Sequence, residues 1–269
     1  MEDHAATLAG LRARAVEAKM RAQIAAGGVV SVEDFNVLTS FAFRNWNADA
    51  VGTDGSTAVI MTCTQGSVDD VRGLLAASAD PTLEALGYNH GADETFQVFP
   101  LTVASLAGHM EVVRLLLAHE EVDPLQVTTD TGCSALFCTC QGGRTDVVRL
   151  LLSLDGVDLN QGRTDGGATP LYIACNRGHT AVVQLLLAVE GVDVNQARTD
   201  DGSTPFYTAC YSAHAKIVQL LLAVEGVDVN QARTDDGITP LYAACIDGRA
   251  EIVQLLLAVD GVDVNQART

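Results

Sequence analysis

The sequence predicts an all-α solenoid, in which short helix-turn-helix units stack side by side and each unit ends in a projecting hairpin, called here a finger. Three observations predict it. A Thr-Pro pair followed by apolar residues recurs every 35 residues, at Thr169, Thr204 and Thr239. A run with three consecutive leucines follows each pair, and Gly-Val-Asp-Val-Asn follows each run. Self-similarity of this kind is typical of repeat proteins, whose units bury their apolar faces against each other.

The same register extends upstream and predicts six units over residues 56–269, starting near residues 57, 99, 134, 169, 204 and 239. Residues 1–30 are predicted to form an N-terminal helical segment, since apolar and alanine residues recur there at helical spacing. Residues 31–55 are predicted to form a capping helix and a first finger, because apolar residues between Val32 and Trp46 lie near helical spacing.

Each unit opens with a short first helix. The threonine before proline is typical of an N-cap, because its hydroxyl accepts from a free backbone N–H and proline lacks that donor. About nine residues later the helix is predicted to end at a glycine with left-handed backbone, at Gly66, Gly108, Gly143, Gly178 and Gly248. The fifth unit carries Ala213 at this position.

A second helix and a finger complete the unit. The second helices, such as Val182–Leu187, are apolar over much of their circumference, so we expect neighbours on more than one side. The fingers combine an extended Gly-Val-Asp-Val-Asn with a turn-forming Arg-Thr-Asp-Asp-Gly. The connection 81–98 is about seven residues longer than its counterparts and contains Tyr88, His90 and Phe96. It is either a tolerated insertion or a partner-specific finger.

Together, Thr-Pro-Leu-x-x-Ala, Gly-His, Val-Val-x-Leu-Leu-Leu and Val-Asp-Val-Asn resemble the ankyrin repeat, over about four fifths of the chain. The period of 35 is longer than the usual one of about 33, and Tyr172, Tyr207 and Tyr242 replace the histidine of the family. The resemblance implies a non-catalytic scaffold without cofactors, which binds another protein along a concave groove. The alternative is a regulatory arm of a larger enzyme or channel whose catalytic part lies beyond Thr269.

The candidate binding residues follow from that resemblance, because the end of the first helix and the finger line the groove in the family. At the helix ends, the positions that vary between repeats are Gln65, Leu106, Gln141, Asn176, Arg177, Tyr211, Ser212, Ile246 and Asp247. The fingertips add Asp165, Asp200, Asp201, Asp235 and Asp236, with Arg198 and Arg233. Tyr211 and Ile246 are predicted to be an anchor pair. The excess of finger carboxylates predicts a partner with a basic segment, unless Asp-Gly only forms the turn.

Three asparagines, Asn195, Asn230 and Asn265, end the Val-Asp-Val-Asn segments. In the ankyrin family this arrangement resembles sites of asparagine hydroxylation. The alternative is that each side chain holds the turn through hydrogen bonds to the backbone.

Five cysteines fall at one repeat position, Cys63, Cys140, Cys175, Cys210 and Cys245. Neighbouring helices lie roughly 10 Å apart, whereas a disulfide needs Cα atoms within about 7 Å, so we predict buried thiols that do not pair. Cys175 with His179 has the spacing of two zinc ligands, but no third ligand follows, and we expect no metal site. Cys133 and Cys138 lie outside this column.

Charge excludes some partners. The formal charge of −18 disfavours nucleic acid and anionic membranes, and no apolar run is long enough to insert in a membrane.

The odd number of cysteines, seven, favours a reducing intracellular compartment, cytoplasmic or nuclear. An Ala/Arg-rich N-terminus leaves a transit peptide open, although its acidic residues argue against one. The chain ends at Thr269 without a polar cap, so we expect end-to-end self-association or a longer array.

Overall fold

The computed structural model describes residues 58–76, 78–89 and 94–266. The segments predicted at 1–30 and 31–55 lie outside the described residues, as does His90. The chain divides into two compact units. The first contains the described residues up to Ala104 together with His109–Asp123, and the second contains Ser105–Gly108 together with the described residues from Pro124 onward.

Twelve helices form six pairs in the described residues, which confirms the predicted fold class. The pairs of the first unit are α1 (Ala58–Gln65) with α2 (Val68–Ala76), and α3 (Pro100–Ala107, whose last turn belongs to the second unit) with α4 (Met110–Leu117). Those of the second unit are α5 (Ala135–Gly142) with α6 (Thr145–Leu152), α7 (Pro170–Arg177) with α8 (Thr180–Leu187), α9 (Pro205–Tyr211) with α10 (Ala215–Leu222), and α11 (Pro240–Ile246) with α12 (Ala250–Leu257). Within the second unit each first helix packs on the next first helix, and each second helix on the next second helix.

Four of the first helices, α5, α7, α9 and α11, have the predicted N-cap. The hydroxyls of Ser134, Thr169, Thr204 and Thr239 accept from the backbone N–H three residues on, at 3.0 to 3.1 Å. At the other end φ is positive at Gly66, Gly108, Gly143, Gly178 and Gly248, as predicted. In these four helices a hydroxyl therefore fixes where the helix begins, and the glycines fix where the helices that carry them end.

The second helices bury one stripe rather than much of their circumference. In α8 the buried side chains are Val182, Val183 and Leu186, while Leu187 is half-buried and Gln184 is exposed. The expected neighbours on more than one side are present, because α8 contacts its own first helix, α7, and the second helices α6 and α10. Its outer face is left to solvent.

The long connection of the first unit contains an antiparallel hairpin, β1 (Ala85–Asn89) with β2 (Glu94–Val98). Ala85 lies opposite Val98, and both are buried against Ile60 of α1. The base of this hairpin is thus part of the core of its unit. The fingers of the second unit are tighter turns, in which Arg163 N–H donates to the carbonyl of Ala168 at 3.0 Å.

The cysteine column is buried at Cys63, Cys140, Cys175 and Cys210, as predicted, but Cys245 is exposed. Among the described helices, α11 packs against a neighbouring first helix on one side only, namely α9. The prediction was therefore wrong for Cys245, because no described first helix covers the other side of α11.

Candidate functional site

The junctions between repeats are held by a side chain that reaches back to the preceding first helix. In four of them an imidazole or guanidinium N–H donates to a main-chain carbonyl: His109 to Thr64 at 2.9 Å, Arg144 to Leu106 at 2.9 Å, His179 to Gln141 at 3.0 Å and His214 to Asn176 at 3.1 Å. The side chain passes over the glycine that ends that helix, where a Cβ atom would meet it at 2.4 to 2.6 Å. The glycines thus serve both the left-handed backbone and the junction.

The fifth junction differs. Ala213 has φ +63° where the other repeats have glycine, so a methyl group occupies the path that the reaching side chain takes elsewhere. Arg249, at the reaching position, makes no hydrogen bond to the carbonyl of Tyr211 among the described residues, and its Nη2 lies 3.9 Å from Asp247 instead. Ala213, whose left-handed backbone is unfavourable for alanine, therefore lies at the junction that also lacks its bond.

The asparagines of the fingers join consecutive repeats. The amide of Asn195 donates to the carbonyl of Gly226 at 2.7 Å, and its oxygen accepts from Asp228 N–H at 2.9 Å. Asn230 makes the equivalent pair with Gly261 and Asp263. Asn265 is exposed, and within the described residues its side chain makes no such pair. The side chains of Asn195 and Asn230 therefore link consecutive fingers, and hydroxylation stays a prediction.

A row of arginines over aromatic rings connects each finger to the preceding first helix. The guanidinium of Arg163 lies 5.6 Å from the ring centroid of Phe137, that of Arg198 5.5 Å from Tyr172, and that of Arg233 5.8 Å from Tyr207. These contacts are cation–π interactions. They explain why an aromatic residue follows Ser-Ala-Leu, Thr-Pro-Leu or Thr-Pro-Phe in this chain, and the sequence pattern did not reveal them.

The finger carboxylates are paired with these arginines. Arg163 binds Asp165 and Arg198 binds Asp200, in each case through both Nε and Nη2. The Arg198 guanidinium lowers the pKa of Asp200, and the hydrogen bond to Asp200 raises the pKa of Arg198.

The finger of the fifth repeat is cross-linked in the same way. Arg233 lies 2.5 Å from Asp235, 3.4 Å from Asp236 and 3.6 Å from Asp201 of the preceding finger. Asp201 also accepts from Ser203 N–H at 2.9 Å, so the turn reading holds for this residue. The fingers consequently offer less free negative charge than their composition implies.

Helix-end and finger residues meet around one cavity of about 240 Å³ in the second unit, called here the arginine pocket. Its walls include Gln141, Asn176 and Arg177 from the ends of α5 and α7. Arg163, Asp165 and Arg198 contribute from the fingers. The two sets of residues that the sequence predicted separately therefore border the same space.

A second feature of this surface is an apolar patch formed by Tyr211 and Ile246. Their exposed fractions are 53% and 64%, which are high for such side chains. Tyr211 stacks on the buried Tyr207, with ring centroids 6.3 Å apart and planes 9° apart. The patch lies on α9 and α11, which pack together. The ring of Tyr211 is supported by the stacked ring of Tyr207.

The remaining predicted residues differ in exposure. Gln65, Arg177, Asp247, Asp165, Asp200 and Asp235 are exposed, whereas Leu106, Gln141, Asn176, Ser212, Asp201, Asp236, Arg198 and Arg233 are half-buried. Asn176 is hydrogen-bonded through both its side chain and its main chain, since its side-chain amide donates to Thr208 Oγ1 at 3.1 Å and its main-chain carbonyl accepts from His214. Those that are exposed have side chains accessible to a partner.

The two cysteines outside the column interact with each other. A hydrogen bond from the Cys138 thiol lowers the pKa of Cys133 to about 7, helped by Thr131 Oγ1 at 3.4 Å and by the charge of Arg163. The same bond and burial raise the pKa of Cys138. Nothing in the sequence pattern indicated this asymmetry.

In the part of the chain that the structure describes, no three His, Cys, Asp or Glu side chains are grouped so as to hold a metal ion. Within the same residues, every helix is too short or too polar to cross a membrane.

A family model described as ankyrin repeats (3 copies) matches the chain in four overlapping stretches, residues 74–163, 101–198, 152–233 and 188–268. These stretches cover most of the chain. No curated protein matches it.

Proposed function

Since the chain belongs to the ankyrin repeat family, we propose that it is a non-catalytic scaffold that binds a partner protein along a groove formed by first-helix ends and fingers. Ankyrin repeats are generally protein–protein interaction modules. The groove of this proposal runs along the second unit, from the arginine pocket to the apolar patch.

The observation that carries the proposal is the exposed apolar patch beside polar side chains that are already in position. Exposed aromatic and aliphatic side chains on a rigid support lose little conformational entropy on binding and are frequent centres of interfaces. Tyr211 fits this description, because its ring is backed by Tyr207 and more than half of it is exposed.

A basic segment of the partner is the second part of the proposal. Asp247, at the end of α11, is exposed, and its nearest arginine nitrogen is 3.9 Å away. Asp200 and Asp235 are exposed beside their arginines. Together with a net charge of −18, these carboxylates attract a basic surface over a range of about 8 Å at physiological salt.

The test is an affinity pull-down with the full chain, comparing the wild type with Tyr211→Ala. A true partner is expected to be retained by the wild type and lost by the variant. Leu257→Ala is the matched control, because Leu257 is equally exposed, at 57%, but lies on a second helix away from the groove. Equal capture by wild type and Tyr211→Ala contradicts the groove.

Charge reversal at Asp200, Asp201, Asp235 and Asp236 tests the basic segment on the same partner. We expect weaker binding with a smaller dependence on salt. Asp201 and Asp236 also hold turns, so the Asp→Asn set, which keeps the turn acceptors, is the control for folding. Unchanged affinity in both sets eliminates the basic segment and leaves the patch untouched.

A further inference from the structure

The arginine pocket brings three guanidinium groups together in a protein with a net charge of −18. They belong to Arg163, Arg177 and Arg198. Asp165 pairs with Arg163, and both Asp200 and Asp201 lie against Arg198. The charges on the finger side are therefore balanced, and Arg177 is the arginine of the pocket that has no carboxylate partner among the described residues.

Arg177 is exposed at the C-terminal end of α7, and it forms no ion pair with any described residue. Its five N–H donors are thus available to a ligand, in the planar arrangement that matches a carboxylate. The other two guanidinium groups are fixed by their aromatic rings and carboxylates, so the pocket is preorganised on the finger side.

We propose that the arginine pocket receives an aspartate or glutamate side chain of the partner peptide. The carboxylate pairs with Arg177, whose planar guanidinium can donate two parallel hydrogen bonds to it. The cavity of about 240 Å³ accommodates such a side chain with bridging water. This inference rests on the proposed function, because it names the chemistry that the groove recognises.

The location of the pocket sets the register of the peptide. It lies between α5 and α7, and the apolar patch begins on α9, one repeat further along. Neighbouring helices are roughly 10 Å apart, and an extended peptide advances about 3.3 Å per residue. The acidic residue is therefore expected about three to six positions from the apolar residue that contacts Tyr211 and Ile246.

The experiment is selection of random linear peptides of about twelve residues, which extend over about 40 Å, on the immobilised full chain. Peptides retained by the wild type are expected to be enriched in Asp or Glu at that spacing from an aromatic or aliphatic residue. Selection on Arg177→Glu is expected to lose this enrichment and to favour Lys or Arg at the same position. Arg149→Glu is the matched control, since Arg149 is an exposed arginine outside the pocket.

Affinity measurements on one selected peptide complete the test. Replacing its acidic residue by Gln, or Arg177 by Ala, should each weaken binding about tenfold, and combining both changes should add little further loss. Peptides that depend on Tyr211 but show no acidic enrichment overturn this inference and leave the proposed function standing. If no selected peptide is sensitive to Tyr211→Ala, both fail.

Discussion

At the scale of single residues, Ala213 combines backbone strain with a missing junction bond. Its φ of +63° is a left-handed conformation, which costs alanine about 1 kcal/mol more than glycine. We predict that Ala213→Gly raises the free energy of unfolding by about 1 kcal/mol or more, measured by urea denaturation. Ala223→Gly is the control, because Ala223 has φ −83° and the same exchange there should destabilise. A lower stability of Ala213→Gly contradicts the strain.

The junction bond is tested by a double-mutant cycle. In the wild type, Arg249→Ala should change stability little, because Arg249 has no carbonyl partner on α9 among the described residues. After Ala213→Gly the guanidinium can reach the carbonyl of Tyr211, as Arg144 reaches that of Leu106. Arg249→Ala is then expected to cost about 1 kcal/mol. A coupling energy of zero would mean that the methyl group is not what prevents the bond.

Burial separates the thiols of the cysteine column. Cys210 is 0% exposed and desolvation raises its pKa, as it does for Cys140 and Cys175, whereas Cys245 is exposed. We predict that a maleimide labels Cys245 within the time a free thiol needs, and that Cys210 reacts only after local or global unfolding. Peptide mass mapping at short labelling times checks this. Equally fast labelling of the two contradicts the packing of the column.

Cys133 should titrate near neutral pH. The hydrogen bond from the Cys138 thiol lowers the pKa of Cys133 to about 7. Cys133 is 9% exposed, unlike Cys210 at 0%, so a small alkylating reagent should reach it slowly, at a rate that rises with a midpoint near pH 7. Because this bond stabilises the charged form, Cys138→Ala should move the midpoint to higher pH, and Cys138→Ser, which keeps a donor, should move it less. If neither substitution moves the midpoint, the hydrogen bond between Cys138 and Cys133 is refuted.

At the scale of elements, the fingers are fastened to each other by asparagine side chains. Asn195→Asp keeps the acceptor for Asp228 N–H but puts a carboxylate oxygen against the carbonyl of Gly226, where the amide now donates at 2.7 Å. We predict a loss of roughly 1 to 2 kcal/mol in stability. Asn265→Asp is the matched control, because Asn265 makes no such pair with any described residue, and it should change stability by less than half as much. Equal losses would contradict the bridging role.

Local patterns predicted most of the helical elements, because the residues that start and stop them are adjacent in sequence. Thr169 and Pro170 start α7, and Gly178 ends it, all within one short stretch of sequence. The arginine row was not predictable in this way, since Arg198 and Tyr172 lie at opposite ends of one repeat and meet only once that repeat has folded. The arginine pocket was not predictable either, because its charge depends on how the finger carboxylates pair with the arginines after folding.

At the scale of the whole molecule, stability in a repeat array is a sum of unit and neighbour terms, so it varies along the chain. The row of first helices in the second unit shows the gradient in burial. Tyr207 and Cys210 of α9 are 5% and 0% exposed, whereas the equivalent Tyr242 of α11 is 39% exposed and Cys245 is exposed. The junction between these helices also lacks its bond from Arg249. Both differences weaken α11 and α12 relative to α7 and α8.

We therefore predict that amide hydrogen exchange occurs through local opening in α11 and α12 at a lower free energy than in α7 and α8. The equivalent peptides of α9 and α11 provide the internal comparison, because their sequences are close and their positions in the repeat are the same. Ala213→Gly should slow exchange in α11 and α12 while leaving α5 and α6 unchanged, since the added bond acts only at that junction. If all these helices exchange at one common free energy, the second unit opens as a single cooperative body, and the additive description of its repeats is wrong.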